Sequence, residues 1–493
     1  MRGAGASIAG QAISFVLQMG SVVVLARLLT PADFGIVTMV TTFSLLFRSF
    51  GLNGFTELIL QREELSESLA SNVFWINLGI GTILTLLFAA SGPLLARFFH
   101  SPPVALATAA LSLMIVFSSF GWIHLALLQR AMRFRTAAII NLTALIFYVG
   151  VAVCSALAGW HYWALVWAMV AQSAVMSAGA WLACRWVPSR PGRVSGTGSG
   201  LKFATIVYSH FAFSYLTRNT DNLLVGWRFG AGALGFYKKA YDLFVLSESQ
   251  LLAPLSAVVV RTLSRVNGNR EQYQRYFLRA IGVLALVGMG VGADFALVGK
   301  DLIRFLLGPN WDEAGRIFSL FGPGIGVMLL YNTHGWIHLS IGRPERWFKW
   351  GLMEFVCTAG LFLLGLRWGP SGIALAWTLS YFILMFPGFW YAGKPIGLGI
   401  GPMFAVIWKF FAASVAAAVV TAWIVKALPQ FAAMPGGTGA LFRMVSVSLI
   451  FFALYFTGVI VLHRGLKPLG ETFGLLRDLL PAGMVRRIFP AAV

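Results

Sequence analysis

Arg48 is the residue whose position in this chain most demands an explanation. It stands in a long apolar run with Thr38, Thr41, Thr42, Ser49, Asn53 and Thr56, which give that run a broad polar face. Inserting an arginine into a membrane helix costs about 2.5–3.5 kcal/mol, and a mid-run arginine is too deep to snorkel easily. Its guanidinium stays charged and presents a planar fork of donors, so the chemistry it suits is capture of a phosphate or another anion in a hydrated cavity. Arg218 precedes Asp221 by one helical turn on one face. Two readings stay open there: a structural ion pair, or an anion contact beside a titratable carboxylate. The first apolar run repeats polar residues at helical spacing, with Gln11, Ser14 and Gln18 between Ser7 and Ser21. Arg48, Arg218, Asn53, Gln11, Gln18 and Ser14 are therefore the candidate substrate contacts.

A transporter also needs groups that load and unload an ion. Asp221, Glu248 and His210 are the candidates, Glu248 because it stands shortly before a helix-loosening Pro254 and His210 because it shares the Arg218 face. Glu57 falls near a span end, where a solvated role suits it. Asp294 and Glu354 fit a proton relay or a pairing between helices equally well. His124 and His338 stand near span ends, and a packed, hydrogen-bonded ring is the simpler account of each. Any single Ser, Thr or Gln also serves as packing glue between membrane helices. The argument for a shared cavity is positional, because the polar faces fall on the first and second runs of each half of the chain.

Those halves are visible as a duplication. Gly121-Trp-Ile-His-Leu125 recurs as Gly335-Trp-Ile-His-Leu339, Leu25 to Ile36 parallels Val225 to Phe236, Arg97-Phe98 answers Arg304-Phe305, and Ala164 to Trp167 answers Ala374 to Trp377. The displacements are roughly 200 to 214 residues, in one order, as an internal repeat requires. The composition is 58% hydrophobic and 11% charged, and about fourteen runs are long enough to cross a bilayer. The expected fold is an all-α polytopic membrane protein, two parallel repeats with a substrate site between them near the midplane. The expected division is a first bundle at 1–184, a cytoplasmic linker at 185–200 ending in Ser-Gly-Thr-Gly-Ser-Gly, a second bundle at 201–392, two further spans at 393–463, and an amphipathic cytoplasmic tail at 464–493.

The net charge of +20 does not indicate a nucleic-acid partner, since no basic segment is joined to a soluble module. With both termini cytoplasmic, Lys and Arg concentrate in the cytoplasmic connections Gln129 to Arg135, Arg185 to Lys202 and Arg261 to Arg279. A positive-inside bias facing anionic lipid explains that pattern. The first run is of spanning length and shows no small-residue cleavage site. Cys154, Cys184 and Cys357 lie in or at the ends of spans, without metal-ligand spacing or a disulfide framework. No Walker-type loop and no acid/base constellation points to covalent chemistry or a cofactor.

Several segments resemble bacterial polysaccharide exporters of the Wzx type, particularly the colanic-acid-exporter-like branch of the multidrug/oligosaccharidyl-lipid/polysaccharide flippase superfamily. They are Leu25-Ala-Arg-Leu-Leu-Thr-Pro-Ala-Asp-Phe-Gly35, Leu127-Leu-Gln-Arg-Ala-Met-Arg-Phe-Arg135, Arg218-Asn-Thr-Asp-Asn222, Leu234-Gly-Phe-Tyr-Lys-Lys-Ala-Tyr241 and Leu306-Leu-Gly-Pro-Asn-Trp311. The resemblance implies two six-helix bundles in a V-shaped, alternating-access flippase with two extra C-terminal spans. It implies a substrate built on undecaprenyl diphosphate, a place in the bacterial inner membrane, and a polysaccharide polymerase and chain-length regulator as partners. It also carries the diphosphate-binding role onto Arg48 and Arg218. The alternatives are an ion-coupled multidrug antiporter of the same superfamily, in which acidic cavity residues are expected, and a membrane polysaccharide polymerase or ligase, in which a large catalytic outer loop is expected.

Overall fold

Hydrocarbon offers a backbone no hydrogen bonds, so a chain this apolar has to satisfy its N–H and C=O groups internally. Among the described residues it does so with helices alone. The computed structural model describes residues 2–50, 55–61, 65–192, 197–428 and 436–470, without the side chains of 2–12, 50, 57, 61, 197, 199, 200, 203, 206, 207, 210, 214, 254 and 257. Asn53 and the tail beyond 470, together with the side chains of Gln11, Glu57 and His210, therefore lie outside the description.

The first nine helices are α1 (Arg2–Leu28), α2 (Pro31–Phe50), α3 (Thr56–Gln61), α4 (Glu67–Ala90), α5 (Gly92–Phe98), α6 (Pro103–Arg130), α7 (Phe134–Leu157), α8 (Tyr162–Cys184) and α9 (Thr197–Arg265). They are followed by α10 (Arg270–Leu307), α11 (Asp312–Asn332), α12 (His334–Ser340), α13 (Pro344–Gly365), α14 (Gly369–Gly393), α15 (Ile400–Ala427) and α16 (Gly436–His463). Nine described helical stretches are long and apolar enough to cross a membrane, or ten with a bent pair inside α9. One of them, Pro344–Ile396, holds both α13 and α14. The described part of α1, Ile13–Leu28, is a shorter apolar helix. The protein is an integral membrane protein of the helical class.

Packing divides the chain into two units, Met1–Lys238 and Lys239–Val493. In the first, the start of α2 is built by a reciprocal cap. The Thr30 N–H and hydroxyl donate to Asp33 Oδ2 at 2.9 and 2.7 Å, and the Asp33 N–H donates back to Thr30 Oγ1 at 3.3 Å. Pro31 takes the first helical position, where its missing N–H costs nothing. The corresponding break in α9 falls at Gly230, whose φ of 79° and ψ of −176° suit glycine. The two starts then cross: a Cβ on Gly35 would strike the Ala231 backbone, and one on Gly235 would strike the Pro31 backbone. Each glycine thus admits the first residue of the other helix.

The segment expected as a flexible linker is tied down along part of its length. Asn72 of α4 donates to the Gly192 carbonyl at 2.6 Å and accepts from the Gly192 N–H at 2.9 Å, and Trp75 Nε1 donates to the Ser189 carbonyl at 2.8 Å.

In the second unit, α10 and α11 meet through glycine. A Cβ on Gly292 would lie 2.8 Å from the Gly322 carbonyl oxygen, and one on Gly326 would lie 2.7 Å from that of Gly288. Both helices present small residues four apart, so their backbones approach closely and van der Waals contact replaces a hydrophobic force that lipid cannot supply. Along the opposite part of α10, α16 is fastened by polar contacts at three levels. Arg443 Nη2 pairs with Asp301 Oδ1 at 2.6 Å, the Ser448 hydroxyl donates to Asp294 Oδ2 at 3.0 Å, and the Tyr455 hydroxyl donates to the Leu286 carbonyl at 2.8 Å.

The glycine crossing makes a stability prediction. Gly326→Ala forces a backbone shift between α10 and α11 and should cost about 1–3 kcal/mol, read as a lower melting temperature in detergent. Gly360→Ala, at an exposed glycine with no neighbour near its added Cβ, should leave the melting temperature unchanged or raise it. Equal behaviour of the two variants would contradict a tight crossing.

Candidate functional site

The polar residues of the first unit collect where α2 meets the part of α9 before Gly230. Arg48 lies in the last turn of α2 and is half-buried. From α9, the Tyr208 hydroxyl donates to the Leu46 carbonyl at 3.0 Å and so joins the two helices. Tyr208, Phe211 and Tyr215 follow one another up α9 with ring centroids 6.4 and 5.7 Å apart. Tyr215 is an electrostatic neighbour of Arg48. One turn further on, Arg218 is exposed. A half-buried guanidinium against a phenol-bearing aromatic wall, with a second exposed guanidinium nearby along α9, is chemically suited to a diphosphate.

Asp221 has a different setting. It is fully buried, it accepts from the Tyr237 hydroxyl at 2.7 Å, and its Oδ1 accepts from the Asn222 N–H at 2.7 Å. Tyr237 lies beyond the Gly230 break, so the bond clasps the two arms of α9 together. Asn222 is buried beside it, and its Oδ1 has no partner among the described residues. On α1, Ser14 is half-buried and Gln18 is exposed, the Gln18 carbonyl accepting from the Ser21 hydroxyl at 2.7 Å.

The second unit holds Glu248, half-buried on the second arm of α9, where Asn332 Nδ2 donates to its Oε1 at 2.7 Å. Asn332 ends α11, and His334 begins α12 two residues later. The repeated histidines differ in their surroundings. His124 in the first unit stacks on Trp181 at 4.1 Å and has Nε2 3.1 Å from the Trp186 carbonyl, as a packed ring should. His338 is equally buried but has no hydrogen-bond partner at either nitrogen among the described residues. Tyr237, Asn332 and His334 were not among the residues singled out from the sequence. The break at Gly230 and the recurrence of Gly-Trp-Ile-His are the signals that flank them.

The clasp can be tested by thermal unfolding. Tyr237→Phe removes the only hydroxyl at that position and leaves a buried carboxylate oxygen short of a donor, a loss of about 1–3 kcal/mol. The melting temperature should fall, whereas Arg218→Ala, at an exposed side chain, should leave it within error. An unchanged melting temperature in Tyr237→Phe would show that the bond does not hold the two arms.

Known proteins extend this picture. Residues 24–316 match the family described as polysaccharide biosynthesis protein. The chain is 22% identical over 400 residues to the lipopolysaccharide biosynthesis protein WzxC of Escherichia coli, covering 78% of this chain and 80% of that one. It is 24% identical over 378 residues to the succinoglycan biosynthesis transport protein ExoT of Rhizobium meliloti, covering 76% of each. A third relative, the teichuronic acid biosynthesis protein TuaB of Bacillus subtilis, is 23% identical over 375 residues, covering 74% of this chain and 77% of that one. Among solved structures, the inward closed conformation of the lipid II flippase MurJ superposes with a TM-score of 0.72 at 15% identity, covering 93% of this chain and 98% of that one. An inward-facing multidrug resistance MATE transporter superposes with a TM-score of 0.63 at 13% identity, covering 79% and 98%. The two structures share the fold, and the sequence match, which spans more than half of the chain, makes this protein a member of the polysaccharide biosynthesis protein family.

Proposed function

We propose that the protein is a flippase that moves an oligosaccharide linked to undecaprenyl diphosphate across the bacterial inner membrane for exopolysaccharide, O-antigen or capsule assembly. The relatives support the reading through their names, which specify polysaccharide biosynthesis and, for ExoT, transport. The observation that carries it to particular residues is the half-buried placement of Arg48 beside Tyr215 at the end of α2. A diphosphate cannot cross bare hydrocarbon, so it needs a hydrated, positively biased path. Arg48 and Arg218 supply the charge, while Ser14, Gln18, Asn53 and Gln11 offer neutral hydrogen bonds to the glycan. The isoprenoid tail stays in lipid. Two cationic side chains on this surface favour an anionic cargo over the cationic drugs of a multidrug antiporter.

In this reading the chain is not an enzyme and forms fourteen transmembrane helices, two repeats of six and two more at the C-terminal side, with both termini cytoplasmic. It works by alternating access, driven by an ion gradient, the membrane potential or consumption of its product. A polysaccharide polymerase and a chain-length regulator receive the glycan on the far side.

Arg48 is the decisive position. Arg48→Ala removes a charge-assisted hydrogen bond worth about 1.5–3 kcal/mol, so export should fall by roughly tenfold or more while membrane insertion is preserved. Arg48→Lys keeps the charge but loses the fork, and should retain part of the activity. The measurement is exported polysaccharide together with lipid-linked glycan accumulating in the inner leaflet, each normalised to protein level. Export at the wild-type rate in Arg48→Ala would contradict the role assigned to this residue.

A further inference from the structure

His334 and His338 stand one turn apart on α12 with ring centroids 5.9 Å apart, and their exposures are 3% and 0%. His334 Nδ1 lies 2.6 Å from the Tyr331 carbonyl oxygen. A carbonyl only accepts, so Nδ1 carries the hydrogen and Nε2 is a bare acceptor, for which the described residues supply no partner. A neutral His338 has one donor and one acceptor nitrogen, and the described residues satisfy neither. Two acceptors and one donor thus lie on neighbouring rings without a partner among the described residues, in an interior where polar groups are normally paired.

The first half of the chain shows what a structural histidine looks like at the same place. His124 occupies the position of His338 in the repeated Gly-Trp-Ile-His stretch, and it is held by aromatic stacking and by the Trp186 carbonyl. The position matching His334 is Phe120, which stacks on Trp181 at 4.6 Å. The second half has therefore exchanged an aromatic ring for a second imidazole and lost the carbonyl that satisfies the first. Packing alone does not call for either change.

The surroundings are polar but nearly balanced. From α13, Arg346 and Glu345 are the charged neighbours of His338, with opposite effects, and Glu354 and Cys357 act on Tyr331. The Arg346 guanidinium is engaged over the Tyr391 ring at 4.2 Å and donates to the Tyr391 carbonyl at 2.6 Å. From α14, Tyr391 and Tyr381 face the cluster, and from α13 Trp350 donates to the Tyr331 hydroxyl at 2.7 Å. From α10, the Tyr273 hydroxyl bonds the Ser340 hydroxyl at 2.6 Å. From α9, Glu248 reaches Asn332, two residues before His334.

We propose that the His334–His338 pair binds the ion that drives transport, a proton taken up as hydronium and shared between the two rings through a bridging water. In the step, one O–H bond of hydronium breaks, an N–H bond forms on a bare imidazole nitrogen, and a water molecule remains between the rings. Release reverses it. Loading places a positive charge at the junction of α11 and α12, two residues from the Asn332 contact to Glu248 on the second arm of α9. Through that contact, proton binding biases the position of the arm, which couples a gradient to transport. The proposal rests on the flippase reading.

Two measurements test it independently. In the first, purified full-length protein is placed in proteoliposomes with a fluorescent undecaprenyl-diphosphate oligosaccharide, and the flipping rate is compared with and without a pH step across the bilayer. The wild type should flip at least threefold faster with the step, and the ratio should fall to one in His334→Phe, which installs the residue the first half carries, and in His334→Gln. In the second, 15N spectra of histidine-labelled protein in lipid are recorded from pH 8 to pH 5. The wild type should show one neutral imidazole with bare Nε2 becoming an imidazolium, a signal assigned by its absence in His334→Gln. Flipping without any response to the pH step, an unchanged ratio in both His334 variants, or rings that stay neutral throughout would each overturn the proton site. Absence of flipping under every condition, with the titration still seen, would overturn the transport reading and leave the proton site standing.

Discussion

Every polar group inside hydrocarbon must find a partner in the protein or in water, and that constraint shapes the rest of this molecule. It makes the described chain helical, because only a helix satisfies a segment's own backbone. It also explains why helices that gain little by sticking together in lipid are joined by glycine crossings and by polar bolts. The Gly288, Gly292, Gly322 and Gly326 contact between α10 and α11 is the first kind. The Arg443–Asp301 pair and the Tyr455 bond to the Leu286 carbonyl, which attach α16 to α10, are the second. In a soluble protein such bonds would be modest additions to a hydrophobic core. Here they are among the few forces that tell one helix face from another.

The same constraint sorts structural polar groups from functional ones. Asp221 is buried but has Tyr237 as a donor, and the bond spans the break in α9. That geometry gives the carboxylate a mechanical task, holding the arm that begins at Gly230 against the arm before it. Glu248 has Asn332 in a comparable way. Arg48 is partly open at the end of α2, and Arg218 is exposed. A cation that keeps access to water is free to exchange it for phosphate oxygens, and a clasped carboxylate is not. Under the proposed function, the clasped carboxylates position helices and the guanidinium groups meet cargo.

Much of this was legible in the sequence, and the limits have physical causes. Thr-Pro-Ala-Asp at 30–33 is a helix start in one dimension, because a cap is satisfied by residues three apart. Membrane character and the polar faces are likewise local, being set by composition and helical period. The Asp221–Tyr237 clasp is not local, since it needs the chain to break at Gly230 and return, and nothing in a single helical period announces the turn. The repeat matches His124 with His338 but leaves His334 without a histidine counterpart, so the informative position is the unmatched one, His334 against Phe120. Internal repeats mark what is shared, and function is read from where the copies part.

Transport of a lipid-linked glycan is the central claim, and reconstitution tests it most directly. The protein is purified and inserted into liposomes whose outer leaflet carries a fluorescent undecaprenyl-diphosphate oligosaccharide, and a membrane-impermeant quencher reports how much label has moved inward. The account predicts that protein-containing vesicles protect about half of the label, that protein-free vesicles protect almost none, and that protection slows sharply in Arg48→Ala. Equal protection with and without the protein, in vesicles that contain it in folded form, would contradict the account.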